Sequence, residues 1–449
     1  MDTEFSDYID DAAKNNFGIR CLKPNQKLLI EKIISYEESS KEENLLAILS
    51  TGFGKSICFL LPAFLSKGIS LLIFPVIALI NDQSDKLRKL NIPFVTLKGG
   101  MSPDEKMSAY RMLEERKAKI IITNPEMLSS QSVISHLKGL SFSYLVLDEA
   151  HTVISWGETF RPAYLNIPTV IKSLRPKAIL AFSATCDEVT IDKLKSTIFT
   201  SEPYVFISSA DRENINYRRI MSLLPFHDAK KLLENENSRR AIIYCGTRAR
   251  CEEASSFLST FYPTRYYHAG LEKKEREDVE EWFRTTKGAV LAATNAFGLG
   301  IDSKGVRTVI HLYLPQNSQD FLQEAGRAGR DGYESTSYVL LNPYDQSPLY
   351  RIFTTDGCIR GRLLQTLGRE HVEACFGCDG CDGKYTKGYG EELIKKAIGR
   401  AYFHSRKKII RRIMRRKDIN YRQATSALER AVGFGLAIKR FNRYRWKAK

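Results

Sequence analysis

Three groups of residues in this chain have the types and spacing for chemistry. The first is Thr51-Gly52-Phe53-Gly54-Lys55-Ser56, between a short apolar run and the apolar stretch ICFLLPAFL. Glycines in such a loop let backbone N–H groups turn onto phosphate oxygens, and a following helix aims its positive dipole end at them. Lys55 is placed to reach the β- and γ-phosphates of a nucleotide, and Ser56 to hold Mg²⁺. Leu49 stands where the generic phosphate-loop pattern has its first glycine, so the bare pattern fits imperfectly. The second group is Asp148-Glu149-Ala150-His151, directly after the apolar run YLVL. Strand-end carboxylates in an open parallel sheet sit where ligands bind. Asp148 suits Mg²⁺, directly or through water, and Glu149 suits polarising an attacking water. The third is Cys358-x16-Cys375-x2-Cys378-x2-Cys381, whose short C-x2-C steps suit tetrahedral Zn²⁺. Four thiolates leave no open position for water, so this metal site reads as structural.

The elements that must position these groups follow an α/β pattern. Short apolar runs alternate with helical stretches from about Asn44 to Ala210: LLAIL, SLLIF, KIIIT, SYLVLD and AILAFS. A second passage, from near Asn214 to near Pro343, repeats the alternation with RAIIYC, the YYH stretch, AVLAAT, TVIHLYL and TSYVLL. Runs this short, buried on both faces, fit parallel strands. Two such passages predict two parallel-sheet domains in tandem. The expected division is 1–210, 211–344, a zinc-binding module at 345–385 and a basic tail at 386–449.

Composition agrees with a folded multidomain chain. With 449 residues, 43% hydrophobic and 27% charged, disordered and collagen-like classes are excluded. The longest apolar run, Leu71 to Ile80, contains Pro75 and is too short to span a bilayer. The start, MDTEFSDYIDD, is acidic and carries no apolar h-region, so a secreted product is not expected. The net charge is +16, and residues 382–449 alone hold 21 Lys+Arg against 5 Asp+Glu. The tail therefore carries the whole excess, which points to a polyanion, most often nucleic acid. Cys21, Cys58, Cys186, Cys245 and Cys251 are scattered; they and the cluster fit a reducing compartment rather than a disulfide framework.

Taken in order, the motifs resemble those of the RecQ family of superfamily-two DNA helicases. FGIRCLKPNQ, TGFGKS, FPVIALINDQ, TNPEML, DEAH and SAT follow one another in the first passage. IIYCGTR, YHAGL, ATNAFGLGID and QEAGRAGRDG continue the series in the second. The likeness covers about residues 17–381. It implies two RecA-like domains, then the zinc module. It implies that Gln26 reads adenine and that Thr51, Gly52, Gly54, Lys55, Ser56 and Asp302 hold ATP. Arg330, with Arg327 beside it, is implied to reach the γ-phosphate from the second domain. DEAHTVISWGETFRPAY matches the family's aromatic-rich loop, so Trp156, Phe160, Arg161 and Tyr164 are implied to sense single-stranded DNA. Glu158 and Thr159 depart from that loop's usual His-Asp, and only twelve residues separate Asp345 from Cys358, so the hairpin before the zinc cysteines is trimmed.

The family commonly continues with a winged-helix domain of roughly a hundred residues, whereas 68 remain here. SALERAVGFG reads as a helix ending at glycine, and LAIKRFNRYRW as a short strand pair around Asn442. The tail is expected to be either a compact winged-helix-like fold or one or two basic helices along the core. The expected activity is ATP-dependent unwinding with 3′→5′ movement, with ATP, Mg²⁺ and Zn²⁺ as cofactors. The expected partner is single-stranded and forked duplex DNA, bound by a monomer. Bacterial cytoplasm or a eukaryotic nucleus is the expected place. The rival expectations are an RNA helicase and an ATP-switched DNA-binding subunit of a larger complex.

Overall fold

In the computed structural model, residues 3–39, 43–50, 53–157, 161–184, 186–208, 211–235, 240–297, 305–368, 375, 377–383, 386–388, 390–399, 401–416 and 418–447 are described. Two compact units divide the chain near Ala210 and Asp211. The first contains strands β1 (Leu45–Ile48), β2 (Ile69–Ile73), β3 (Phe94–Leu97), β4 (Ile120–Thr123), β5 (Phe142–Leu147), β6 (Ala178–Ser183) and β7 (Tyr204–Ile207). They form a parallel sheet in the order β3-β4-β2-β5-β6-β1-β7. Every residue of β1, β2, β4, β5 and β6 is buried, because helices cover both faces. This explains why these strands read as continuous apolar runs. The edge strands differ: β3 alternates half-buried and buried positions, β7 has exposed and half-buried ones only, and neither carried such a signal.

The second unit repeats the design with β8 (Ile215–Met221), β9 (Arg240–Tyr244), β10 (Thr264–Tyr267), β11 (Val290–Ala293), β12 (Val306–His311), β13 (Ser335–Leu341) and β14 (Thr386–Lys387). The order is β10-β11-β9-β12-β13-β8-β14, again parallel. Both units are RecA-like parallel-sheet folds, as expected. The Cys cluster does not stand apart from this sheet. Tyr217 of β8 bridges to Cys378, and its N–H donates to the Gly377 carbonyl at 3.2 Å. Asp379, 1% exposed, accepts from the Arg219 N–H at 2.6 Å and from Arg218 at 2.9 Å.

The basic tail folds. Helix Glu391–Ile398 is followed by β15 (His404–Ser405), helices Arg406–Ile413 and Tyr421–Gly433, and the hairpin β16 (Ala437–Arg440) and β17 (Arg443–Trp446). The three strands form an antiparallel sheet in the order β15-β17-β16. The expected helix end falls at Gly433 and the expected strand pair turns at Phe441-Asn442. Its core joins Ile394, Ile409, Leu428 and Trp446 to Leu223 and Leu224, which lie just beyond β8. Asp228, fully buried, accepts from Ser222 Oγ and from the Gly390 N–H at 2.9 Å, so it fastens the start of the tail. The tail is thus a small packed fold on the second unit, not a loose basic arm.

Candidate functional site

The ends of β5, β6 and β1, neighbours in the first sheet, carry one site. Helix Lys55–Leu65 starts directly after Gly54, whose φ of 91° is left-handed. A Cβ on Gly54 would fall 2.3 Å from Gln26 Nε2, so only glycine fits this turn. Gln26 is itself 6% exposed. Its Nε2 donates to the Phe53 carbonyl at 2.7 Å and its Oε1 accepts from the Lys23 N–H at 2.9 Å. The residue expected to read adenine therefore braces the loop in this structure. Thr51 and Gly52 lie outside the described residues.

Lys55 Nζ sits 2.6 Å from Asp148 Oδ1 and 2.7 Å from Glu149 Oε1. The phosphate-loop lysine and both DEAH carboxylates come together here. Burial works against the Lys55 charge, but the two carboxylates outweigh it and raise its pKa, so it stays protonated. Glu149 adopts φ 50°, a left-handed backbone in a non-glycine residue. Such conformations persist where surrounding structure holds them, often at functional sites. Sequence reasoning passed over His151, Ser183 and Gln83 as site members. His151 Nδ1 lies 2.8 Å from Ser183 Oγ at the end of β6, and burial lowers the imidazole pKa, keeping it neutral. Gln83, 3% exposed, donates to Ser56 Oγ at 3.3 Å, while its Oε1 has no hydrogen-bond partner among the described residues. Their signal was present in the adjoining motifs FPVIALINDQ, DEAH and SAT, read as markers of order rather than as side chains that meet.

The remaining expected residues divide. Arg161 donates to the Pro75 carbonyl and lies 3.5 Å from Glu126. Tyr164 is 2% exposed inside the first unit's core, so it packs rather than offering a face to a base. Trp156 belongs to helix His151–Gly157, but its side chain, like Phe160 and Asp302, lies outside the described residues. In the second unit, helix Ser318–Ala325 ends before Arg327 and Arg330, which fall in the following turns and not on one helical face. Arg327 is 2% exposed, and both guanidiniums lie near the Tyr244 hydroxyl.

The four clustered sulfurs lie within 4.8 Å of one another. Cys378 and Cys358 sulfurs are 3.9 Å apart. Burial acts to raise the Cys378 pKa, yet the backbone N–H groups of Cys381, Arg360 and Ile359 outweigh it and bring the thiol down to about 7. A sulfur so surrounded is prepared to be a thiolate, which is the form that binds metal. The donor set fits Zn²⁺.

Residues 23–194 match the DEAD/DEAH box helicase model and residues 225–332 the helicase conserved C-terminal domain. The chain thus carries a DEAD/DEAH box helicase domain followed by a helicase conserved C-terminal domain. It is 30% identical over 390 residues to the ATP-dependent DNA helicase RecQ of Pasteurella multocida, covering 81% of this chain and 61% of that one. It is 31% identical to the probable ATP-dependent DNA helicase RecS of Bacillus subtilis, covering 73% of this chain and 66% of that one. The chain spans about three fifths of the length of this RecQ relative. Among solved structures, DEAD-box helicase Mss116 bound to ssRNA and UDP-BeF has a TM-score of 0.62 at 18% identity, covering 97% of this chain and 90% of that one. The DUF1998 helicase MrfA bound to DNA also scores 0.62, at 19% identity, covering 100% and 63%. At such identities the structures speak for the fold alone.

Proposed function

We infer that this helicase hydrolyses ATP to move along single-stranded DNA in the 3′→5′ direction and to open forked duplexes. The observation that carries the reading is the convergence of Lys55, which follows β1, with Asp148 and Glu149, which follow β5. With ATP bound, Lys55 would exchange its carboxylates for the β- and γ-phosphates. Ser56 and Asp148 would hold Mg²⁺, which supplies charge neutralisation at the phosphates. The unpartnered Gln83 Oε1 beside Ser56 suits a metal-bound water. Glu149 would polarise the attacking water, and His151 with Ser183 would hold the DEAH segment against β6. Arg330, supported by Arg327, would neutralise charge developing on the γ-phosphate. Asp302 would complete the nucleotide contacts, and Trp156, Phe160 and Arg161 would report DNA to Glu149.

The tail supports duplex contact. A helix, a short strand, two helices and a hairpin, with the first strand beside the last, would serve as a compact winged-helix-like reader of duplex DNA. The hairpin tip shows Phe441, 99% exposed, between exposed Arg440 and Arg443. Cationic side chains flanking an aromatic face suit phosphate contact with base stacking.

The deciding experiment compares ATP turnover with single-stranded DNA, duplex DNA and RNA. Strong stimulation by single-stranded DNA is expected. Stimulation by RNA alone would favour an RNA helicase, and turnover indifferent to every nucleic acid would favour an ATP-switched subunit.

A further inference from the structure

The second unit holds a cavity of about 560 Å³ that ATP hydrolysis does not use. Gly246 and Thr247, just beyond β9, and Tyr313, just beyond β12, line it. These strands are neighbours, yet the chain leaves β9 towards β10 on one side and β12 towards β13 on the other. That is a topological switch point, where open α/β sheets bind ligands at their carboxyl edge. Helix Arg248–Leu258 begins at the cavity with Thr247 as its N-cap. The tail adds Ser426 and Arg430 to the same lining.

Three basic groups in this lining, Arg430 and His227 buried and Arg250 half-buried, are incompletely partnered among the described residues. Arg250 makes no side-chain hydrogen bond or ion pair among the described residues, and burial lowers its pKa. Arg430, 6% exposed, donates to the Ser222 carbonyl at 2.9 Å and forms no ion pair among the described residues. Burial first and the Arg250 charge second bring it down to about 10. His227, 7% exposed, lies 3.5 Å from Asp418, yet its Nδ1 has no hydrogen-bond partner among the described residues. Glu253 and Asp418, which also line the cavity, are engaged with Arg422 at 2.8 Å and with Arg416 at 3.3 Å. Asp345 and Asp228 act on the guanidiniums without forming an ion pair with either among the described residues. A buried guanidinium such as Arg430 beside a half-buried one, Arg250, with no paired counter-ion is unfavourable, and a phosphate accepting their N–H groups reverses that. Leu223, Leu224, Phe226, Phe257 and Ile419 supply the apolar part of the lining. Phe226 and Phe257 stack at 5.9 Å and 29°.

We propose that this cavity binds a nucleoside phosphate, its phosphate against Arg250, Arg430 and the start of helix Arg248–Leu258, its base against Phe226 and Phe257. The volume lies within the roughly 300–1,000 Å³ of small-molecule sites. Since both the sheet and the tail line the cavity, its occupant clamps the tail to the second unit.

The test is calorimetric titration of the full chain with ADP and, separately, with inorganic pyrophosphate. Lys55→Ala removes the contribution of the phosphate loop and keeps this site independent of the ATPase reading. In that variant one ADP should still bind. Arg250→Ala added to it should weaken ADP by about tenfold or more, the scale of one charge-assisted contact. Arg250→Lys should restore part of the affinity. Phe257→Leu should weaken ADP more than pyrophosphate. Melting temperature monitors folding, and Arg250→Gln replaces Arg250→Ala if the latter is unstable. Loss of all ADP binding in Lys55→Ala would overturn the proposal. So would ADP affinity indifferent to Arg250, equal affinities for ADP and pyrophosphate, or an Arg250 effect confined to DNA binding.

Discussion

The two sheets share one strand order but treat charge differently at their carboxyl edges. In the first, Lys55 is answered inside the protein by Asp148 and Glu149 at 2.6 and 2.7 Å. In the second, Arg250 and Arg430 border a cavity with no carboxylate paired to either among the described residues. One edge is balanced before a ligand arrives and must exchange partners when it does. The other stays unbalanced until an anion enters. A repeated fold therefore does not imply a repeated site, because the strand-end residues, not the sheet, decide what each edge accepts.

Breaking the balanced edge should have the largest effect. Lys55→Ala is expected to lower DNA-stimulated ATP turnover by about 100-fold or more, since phosphoryl transfer rests on positioning and charge. Steady-state phosphate release checks this; turnover within a few-fold of wild type would remove Lys55 from the site. Next comes the metal. Cys378→Ser should take bound zinc from one per chain to none and lower soluble yield, because thiolate ligation is coupled to folding. Elemental analysis of the fresh protein measures it, and a zinc-free wild type would contradict the assignment.

The tail attachment sharpens the contrast at a smaller scale. Asp228 is held up to about 6, above its ordinary 3.8, chiefly by burial. A raised carboxyl pKa means that the folded state binds the proton more tightly. Its stabilising contribution is full below 3.8 and lost as pH rises through about 6. Asp228→Asn should remove that decline, so the wild-type minus variant difference falls by up to ~3 kcal/mol between pH 4 and 7. Parallel urea midpoints across that range would show that Asp228 titrates normally. The mildest change is Lys439→Ala with Arg440→Ala and Arg443→Ala on the exposed hairpin. Each lost phosphate contact should reduce the slope of log affinity against log salt by about 0.9. An unchanged slope would place the DNA grip elsewhere. Substitution is the sharper tool here: removing residues 386–449 would uncover Leu223 and Leu224 and delete β14.

The central strands of both sheets were legible because burial on both faces forces continuous apolar runs. The phosphate loop, the DEAH carboxylates and the four cysteines were legible because their chemistry demands fixed spacing over a few residues. The same locality revealed the tail hairpin at Phe441-Asn442. Edge strands β3 and β7 escaped, since a half-exposed strand has no such run. Gln26 bracing Phe53, Tyr164 buried in the core, and His151 meeting Ser183 belong to distances of 27 residues or more, or to packing, and no local pattern encodes them. The tail makes the point most fully. Its sequence determined that it is basic and that it contains a helix and a strand pair. Only the tertiary structure decided that Asp228 fastens it, that Leu223 and Leu224 enter its core, and that Arg430 comes to border the cavity beside Arg250. Charge and periodicity are properties of a segment, whereas a buried partner is chosen by the whole chain as it excludes water.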